Sequence, residues 1–251
     1  MQALVRMIAH ASLPSDMLKR KLTFTGGEPI LCRHLPKIIA YAHQLGLVTM
    51  LVTNGSLLTQ EYLDNLKGNL DWLALSIDSN SPETLRQIGR VNGKMVDGQQ
   101  YIEIAQYAKT LGMRIKINTV VNRYNCEEDM RGLLQKMSPE RWKLLQVTWV
   151  KGQNDKYFPE LEVTEEQFKA FVRRHQGWIG DTIKIIPEET DDIRGSYAMI
   201  DPVGRFFDSA NGEYHFSDLI LDIGLSQAFQ QVVFKRDKFE KRGGIYDFRH
   251  S

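Results

Sequence analysis

Cysteine is scarce: the 251 residues hold two, Cys32 and Cys126. Two thiols make no disulfide scaffold and cannot by themselves ligate an iron–sulfur cluster. An excess of one charge sign is missing too, since 32 basic against 31 acidic residues leaves a formal net charge of +1. That excludes a strongly cationic nucleic-acid wrapper, and no nucleic-acid partner is expected. No run approaches the roughly 18 apolar residues of a membrane helix, so no membrane partner is expected. No basic-then-apolar leader opens the chain, and a cytoplasmic protein is the default expectation. The histidines, His10, His34, His43, His175, His215 and His250, show no metal-ligand spacing and read as surface or packing residues. What remains, 42% hydrophobic and 25% charged, is enough for one large core and too apolar for disorder.

The first two-thirds alternates strand-like and helix-like segments. Lys21–Thr25 and Leu47–Thr53 read as strands, and so do Asp71–Ile77, Met113–Val121 and Trp142–Val150. Between them, Leu35, Ile38, Ile39, Ala42 and Leu45 fall on one helical face, with Gly46 as a natural stop. Further helices are predicted over Thr59–Leu66 and Asp97–Leu111, and from Thr164-x-x-Gln167, a capping box, to about Gln176. Asn125-x-x-Glu128 resembles a second capping box, before a helix ending near Met137. Five strands with intervening helices predict an α/β fold, a parallel sheet or barrel with its chemistry at the C-terminal strand ends. Past residue 180 the pattern changes. Ile183–Ile186 and Tyr197–Phe207, with its Asp201-Pro202-x-Gly204 turn, read as short strands and a hairpin, followed by a helix over Leu225–Val233 and a basic tail. The expectation is a barrel over residues 1–180 and an extension over 181–251 that caps it within the same domain.

Thr25-Gly26-Gly27-Glu28-Pro29 follows the first strand directly. Two glycines let a backbone approach a ligand closely, and a carboxylate held there can accept hydrogen bonds from an ammonium group. Lys116 and Asn118 sit two apart on one predicted strand, and Arg141 and Lys143 repeat that spacing on the next. Residues two apart share a face. Cations pointing into an apolar barrel need an anionic partner, and two adjacent strands offering them suit a triphosphate. For either pair alone, outward-facing solvated charge or pairing with local carboxylates stays open. Asn54 and Ser56, like Ser76 and Asp78, fall at strand ends, where ligand-binding groups and plain turn formers look alike.

Gly26-Gly27-Glu28-Pro29 resembles the motif by which radical S-adenosylmethionine (SAM) enzymes hold the ammonium of SAM. Thr53-Asn54-Gly55-Ser56-Leu57, Leu75-Ser76-Ile77-Asp78-Ser79 and Ile88-Gly89-Arg90 extend the match, as do Lys116-Ile117-Asn118, Asn122-Arg123-Tyr124-Asn125, Arg141-Trp142-Lys143 and Lys241-Arg242-Gly243-Gly244-x-Tyr246. In this order, from about residue 20 to 248, they resemble the viperin-like nucleotide dehydratases. The resemblance implies a partial (βα) TIM-like barrel, SAM, and a [4Fe–4S] cluster that splits SAM. It implies a radical that takes hydrogen from the ribose of a nucleoside triphosphate such as CTP, UTP or GTP. Loss of water then gives a 3′-deoxy-3′,4′-didehydro analogue in antiviral, and in prokaryotes antiphage, defence. It assigns Gly26, Gly27, Glu28, Pro29, Asn54, Ser76 and Arg90 to SAM, Arg90 meeting its carboxylate. It assigns Ser56, Lys116, Asn118, Arg141, Lys143 and Arg242 to the substrate, and Tyr246 to a tail that closes over it. A reductant protein is the implied partner, and a monomer the implied state.

The family holds its cluster through three cysteines spaced C-x3-C-x2-C, several tens of residues before the glycine motif. Here about 25 residues precede Gly26 and none is cysteine. Cys32 follows the motif and Cys126 opens a predicted helix, so neither matches a cluster ligand. Leu4, Met7, Ile8 and Ala11 have helical spacing and read as the remainder of the first barrel helix. The expectation is therefore a chain lacking the first strand and the cluster loop. It is either an incomplete form of a normal enzyme or a cluster-less, inactive nucleotide- or SAM-binding remnant. A radical SAM enzyme with a different substrate, such as a peptide, is a third reading.

Overall fold

The computed structural model describes residues 1–11, 20–90, 95–179 and 182–244. The predicted tail residue Tyr246 lies outside them. In chain order the barrel part comprises α1 (Gln2–His10), β1 (Lys21–Phe24), a 3-10 turn (Pro29–Leu31), α2 (Leu35–Gln44), β2 (Val48–Thr53), α3 (Gln60–Asp64), β3 (Trp72–Ser76), α4 (Pro82–Gln87), α5 (Gly98–Thr110), β4 (Arg114–Val121), α6 (Arg131–Met137), β5 (Arg141–Gln146), α7 (Phe158–Leu161), α8 (Glu165–Ile179) and β6 (Lys184–Glu188). Then come α9 (Thr190–Ile193), β7 (Met199–Ile200), β8 (Arg205–Asp208), β9 (His215–Leu219), α10 (Ile220–Ile223), α11 (Leu225–Gln230) and α12 (Arg236–Lys241).

The strands β1 to β6 form one parallel sheet in sequence order, and β7-β8-β9 form a separate antiparallel sheet. This is the α/β architecture that the alternation predicted. β6 lies in the segment expected to cap the barrel, yet it pairs parallel with β5, Lys143 opposite Ile186. Its sequence, Ile-Ile-Pro-Glu after Lys184, is too short to separate from a hairpin strand without knowing its neighbour.

Helix ends follow local chemistry. Asp97 accepts the Gln100 N–H at 2.8 Å, and the Gln100 side chain accepts the Asp97 N–H at 3.2 Å, closing a capping box at α5. Thr164 and Gln167 make the same reciprocal pair before α8. The second predicted box is overturned. α6 begins at Arg131 after Met130, with no side-chain cap. Asn125 instead accepts the Asn122 N–H at 2.7 Å and donates to the carbonyls of Asp78 and Val120 at 2.7 and 2.9 Å. Glu128 accepts the Ser79 hydroxyl. Asn125 is fully buried, and the backbone groups of Asp78, Val120 and Asn122 claim its amide first. Cys126 therefore lies in that loop and not in a helix.

Alternation along the strands divides the sheet. Leu51, Leu73, Leu75, Ile115, Ile117, Trp142 and Leu144 face the helices and join Ile39, Ala105, Leu134 and Phe168 in the main core. The opposite face carries Val48, Met50, Trp72 and Ala74, and on β4 and β5 it carries Lys116, Asn118, Arg141 and Lys143. On α1, Val5 packs with Ala42 and Leu47, while Leu4, Met7 and Ile8 pack with Phe206, Ile220 and Ala228. That helix therefore ties the antiparallel sheet to the barrel; Ala11 falls one residue past its end. His175 is a packing residue, as its lack of ligand spacing suggested. Its Nε2 accepts the Met130 N–H at 3.1 Å, which leaves Nδ1 as the donor to the Phe171 carbonyl.

Among the described residues no helix is long and apolar enough to cross a membrane. Leu75 is fully buried in the main core. Leu75→Ala should lower unfolding free energy by about 2–5 kcal/mol, measured by urea denaturation; a loss under about 1 kcal/mol would mean that the sheet–helix layer is not the core.

Candidate active site

The C-terminal ends of β1 to β3 build one side of the site. Thr25, Gly26 and Gly27 are exposed just after β1. Gly26 has φ of 147°, a conformation that side chains rarely adopt, and a Cβ at either glycine would project into open space. Glu28 follows and is held by three donors: Thr53 Oγ1 at 2.7 Å, Asn54 N at 3.1 Å and Ile30 N at 3.2 Å. Pro29 starts the 3-10 turn that brings the Ile30 N–H round. Asn54 spends its side chain on the Ser56 N–H at 2.8 Å, and its carbonyl accepts the Tyr101 hydroxyl at 2.9 Å.

Arg90 donates to Asp78 at 2.5 Å, and Asp78, almost fully buried, also accepts the Val120 N–H. Asp78, left open from sequence between a ligand-binding group and a turn former, is thus paired with Arg90. Burial, then the charges of Asp78 and Glu28, push Tyr101 up to about 12, with Arg90 opposing. Glu28, Asn54, Asp78 and Arg90 therefore converge around Tyr101. Ser76 is half-buried at the end of β3, in register with Asn118. Ser56 goes elsewhere, lining a small cleft between α3 and α5 with Thr59, Gln100, Glu103 and Tyr107; no cation named below lines it.

The other side of the site is inside the sheet. Lys116, Arg141 and Lys143 are only 7%, 6% and 9% exposed. They face inward, as the two-residue spacing suggested, with Lys116 in register beside Arg141 and Asn118 beside Lys143. Lys21 from β1 joins them: burial, then Lys143, Arg141 and Arg242, lower it to about 7. Burial, then the charges of Lys143 and Lys21, drive Lys116 well below the usual lysine value. For Lys143 burial is again the larger effect, and the Glu188 carboxylate holds the value at about 8.

Glu188, at the end of β6, is fully buried. It lies 2.6 Å from Lys143 Nζ, accepts Arg242 Nη1 at 3.0 Å and accepts the Tyr197 hydroxyl. Burial raises its pKa, but Lys143 and Arg242 outweigh that and hold it low. The guanidinium of Arg242 stacks on Tyr197 at 3.9 Å and donates to the Ser196 carbonyl at 2.8 Å. Arg141 reaches the Gly243 carbonyl at 3.3 Å. The basic tail is thus drawn onto the cavity. The Asn118 Oδ1 atom is buried with no hydrogen-bond partner among the described residues, an acceptor that fits a ligand donor.

Sequence reasoning missed Lys21, Glu188 and Tyr197. Lys21 carried a weak signal, a lysine on an otherwise uncharged strand; Glu188 and Tyr197 carried none.

Two groups can be tested against these residues. The ledge fits the amino-acid end of SAM, with a fixed carboxylate for the ammonium beside glycines that leave room. A [4Fe–4S] cluster does not fit what this chain supplies. Cys32 is exposed behind the 3-10 turn, Cys126 is buried in the loop after β4, and no metal-binding group of three His, Cys, Asp or Glu side chains occurs among the described residues.

Comparison with known proteins agrees with this geometry. The sequence pattern of the Radical SAM superfamily matches residues 2–137, more than half of the chain. The structure of native anSMEcpe with bound AdoMet superposes with a TM-score of 0.67 over 96% of this chain and 72% of that one, at 13% identity, a likeness of fold. The class is therefore a radical SAM barrel. An S-adenosylmethionine-dependent nucleotide dehydratase of Lacinutrix mariniflava is 43% identical over 97% of this chain and 50% of its own length. One of Flammeovirga pacifica is 41% identical over 92% and 78%. The chain belongs to this family of S-adenosylmethionine-dependent nucleotide dehydratases, and it spans half the length of the Lacinutrix relative.

The lowered lysines make a stability prediction. An unfolded lysine stays protonated to about 10.5 while folded Lys21 releases its proton near 7. Between those values the unfolded chain binds more protons, so stability without ligand rises with pH. The urea midpoint of the wild type should rise from pH 7 to 9.5 by more than that of Lys21→Met; equal rises would show Lys21 to be an ordinary surface amine.

Proposed function

We propose that this chain carries the SAM- and nucleotide-binding elements of a radical SAM nucleotide dehydratase, acting on a nucleoside triphosphate. One observation carries the reading: Lys21, Lys116, Arg141, Lys143 and Arg242 gather inside the barrel, where, among the described residues, the carboxylate of Glu188 lies with them. Desolvated positive charge in that excess is costly unless an anion enters with it. A triphosphate supplies several charges along a chain of acceptors, which Arg grips in pairs and Lys as a point charge.

The anionic end would rest on β4, β5 and the tail, leaving Asn118 and Ser76 to meet the ribose. Glu28 would take the ammonium of SAM, and Arg90, steadied by Asp78, its carboxylate. SAM bound with an iron–sulfur cluster would supply the hydrogen-abstracting chemistry, but the cysteines of this chain offer that cluster no site. The residues at hand bind and orient, so that the sugar faces the SAM side of the cavity. Dehydration of the ribose to a 3′-deoxy-3′,4′-didehydro nucleotide, a role in defence against viruses or phages, and a reductant partner belong to the same reading. The nucleobase is left to experiment.

Calorimetry with CTP, UTP and GTP tests it. At least one should bind, and Arg141→Ala or Lys143→Ala should each weaken binding by about 1.5–3 kcal/mol. Unchanged affinity would remove those residues from the site. Because Lys21 and Lys143 titrate near 7 and 8, an entering anion raises both, so binding takes up protons. Affinity should therefore fall as pH rises from about 7 to 9, with an observed enthalpy that depends on the buffer. Failure of every triphosphate to bind, to this chain and to a form rebuilt with a cluster segment, would end the nucleotide reading.

A further inference from the structure

A fully buried carboxylate at the edge of a phosphate cavity is a poor choice for an anion site, since like charge repels the ligand. Glu188 is nevertheless placed so that its oxygens are occupied from its own side. Lys143 Nζ and Arg242 Nη1 meet Oε1, and the Tyr197 hydroxyl meets Oε2. Lys143 also donates to the Tyr197 hydroxyl at 2.7 Å. That uses two of the three ammonium protons and leaves one directed elsewhere. Arg242 uses Nη1 on Glu188 and Nη2 on the Ser196 carbonyl, while its buried Nε has no partner among the described residues. Both cations are thus gripped from behind with donors to spare.

The geometry points to Glu188 as a positioning residue: its carboxylate, braced by Tyr197, fixes the Lys143 ammonium and the Arg242 guanidinium in the orientation that a polyphosphate needs and keeps the Lys143 amine charged. This rests on the triphosphate reading above. A plain structural pair is a weaker account, because buried ion pairs about break even against apolar replacements. A plug that merely holds the site shut is weaker too, because the spare donors would then have no use. Among the described residues, the charged groups that interact with Glu188 are Lys21 from β1, Lys116 from β4, Lys143 from β5 and Arg242 after α12, with Arg141 beside Lys143; the neutral Tyr197 follows α9. All the charged ones except Glu188 itself are cations, and they crowd Lys143 toward its neutral form. Glu188 opposes them, consistent with the intermediate value of Lys143.

The test uses Glu188→Gln, which keeps an acceptor and removes the charge. With inorganic tripolyphosphate as probe, calorimetry should show binding about tenfold or more weaker than wild type at pH 8. The gap should close to about threefold at pH 6.5, where Lys143 is protonated in either protein. Glu188→Asp should recover part of the loss. Independently of any ligand, NMR titration of 13C-labelled lysines, with Lys143 assigned through Lys143→Arg, should place the Lys143 midpoint about one unit or more lower in Glu188→Gln. Tyr197→Phe should move it the same way by less, and serves if Glu188→Gln fails to fold. An unmoved Lys143 midpoint in either variant would overturn the positioning role, as would tripolyphosphate binding that is equal or tighter in Glu188→Gln across pH 6.5–8. If the wild type bound no tripolyphosphate while the midpoint still fell, the polyphosphate reading would fail and the hold of Glu188 on Lys143 would stand.

Discussion

Inside the barrel, positive charge outnumbers negative in a space where water does little to screen it. Lys116, Arg141 and Lys143 are nearly inaccessible, and Lys21 and Arg242 add to them from β1 and the tail. Among the described residues Glu188 meets Lys143 and Arg242 directly. Burial drives the lysines toward their neutral forms and the cations repel one another. The arrangement is a poor way to stabilise a fold and a good way to receive a polyanion. The tail reaches these charges through Arg242 on Glu188 and the Gly243 carbonyl on Arg141.

The two sides of the site use different physics. At the ends of β1 to β3, backbone and carboxylate geometry dominate: open glycines, a Glu28 fixed by three donors, and an Arg90 held by Asp78. On β4 to β6, net charge dominates. A SAM-like zwitterion suits the first side and a polyphosphate the second. The shared register of Ser76, Asn118 and Lys143 joins the two across β3, β4 and β5. Membership of the nucleotide dehydratase family fits this division, although the cysteines of this chain contribute no cluster site of their own.

The loop after β4 shows why a local motif can mislead. Asn125 and Glu128 have the spacing of a capping box, and the same spacing at Thr164 and Gln167 does make one. At Asn125 the loop is buried, so backbone groups of β3 and β4 compete for the amide and take it. A helix end in water would have offered no such competitors.

Strand alternation and helix caps are local and were readable directly: apolar residues on one face of β2 to β5, Lys116 with Asn118 and Arg141 with Lys143 on the other, boxes at α5 and α8. The glycine ledge was readable as well, because a Gly-Gly-Glu-Pro run after a strand has few other uses. Three things waited for the tertiary structure: that β6 joins the barrel, that Ser56 turns to a separate cleft, and that Lys21, Glu188 and Tyr197 belong to the cavity. Each depends on which strands become neighbours. Spacing along a chain fixes the face a residue occupies, whereas its charged neighbours across the barrel, up to 221 positions away for Lys21 and Arg242 (242 − 21), are set only when the strands assemble.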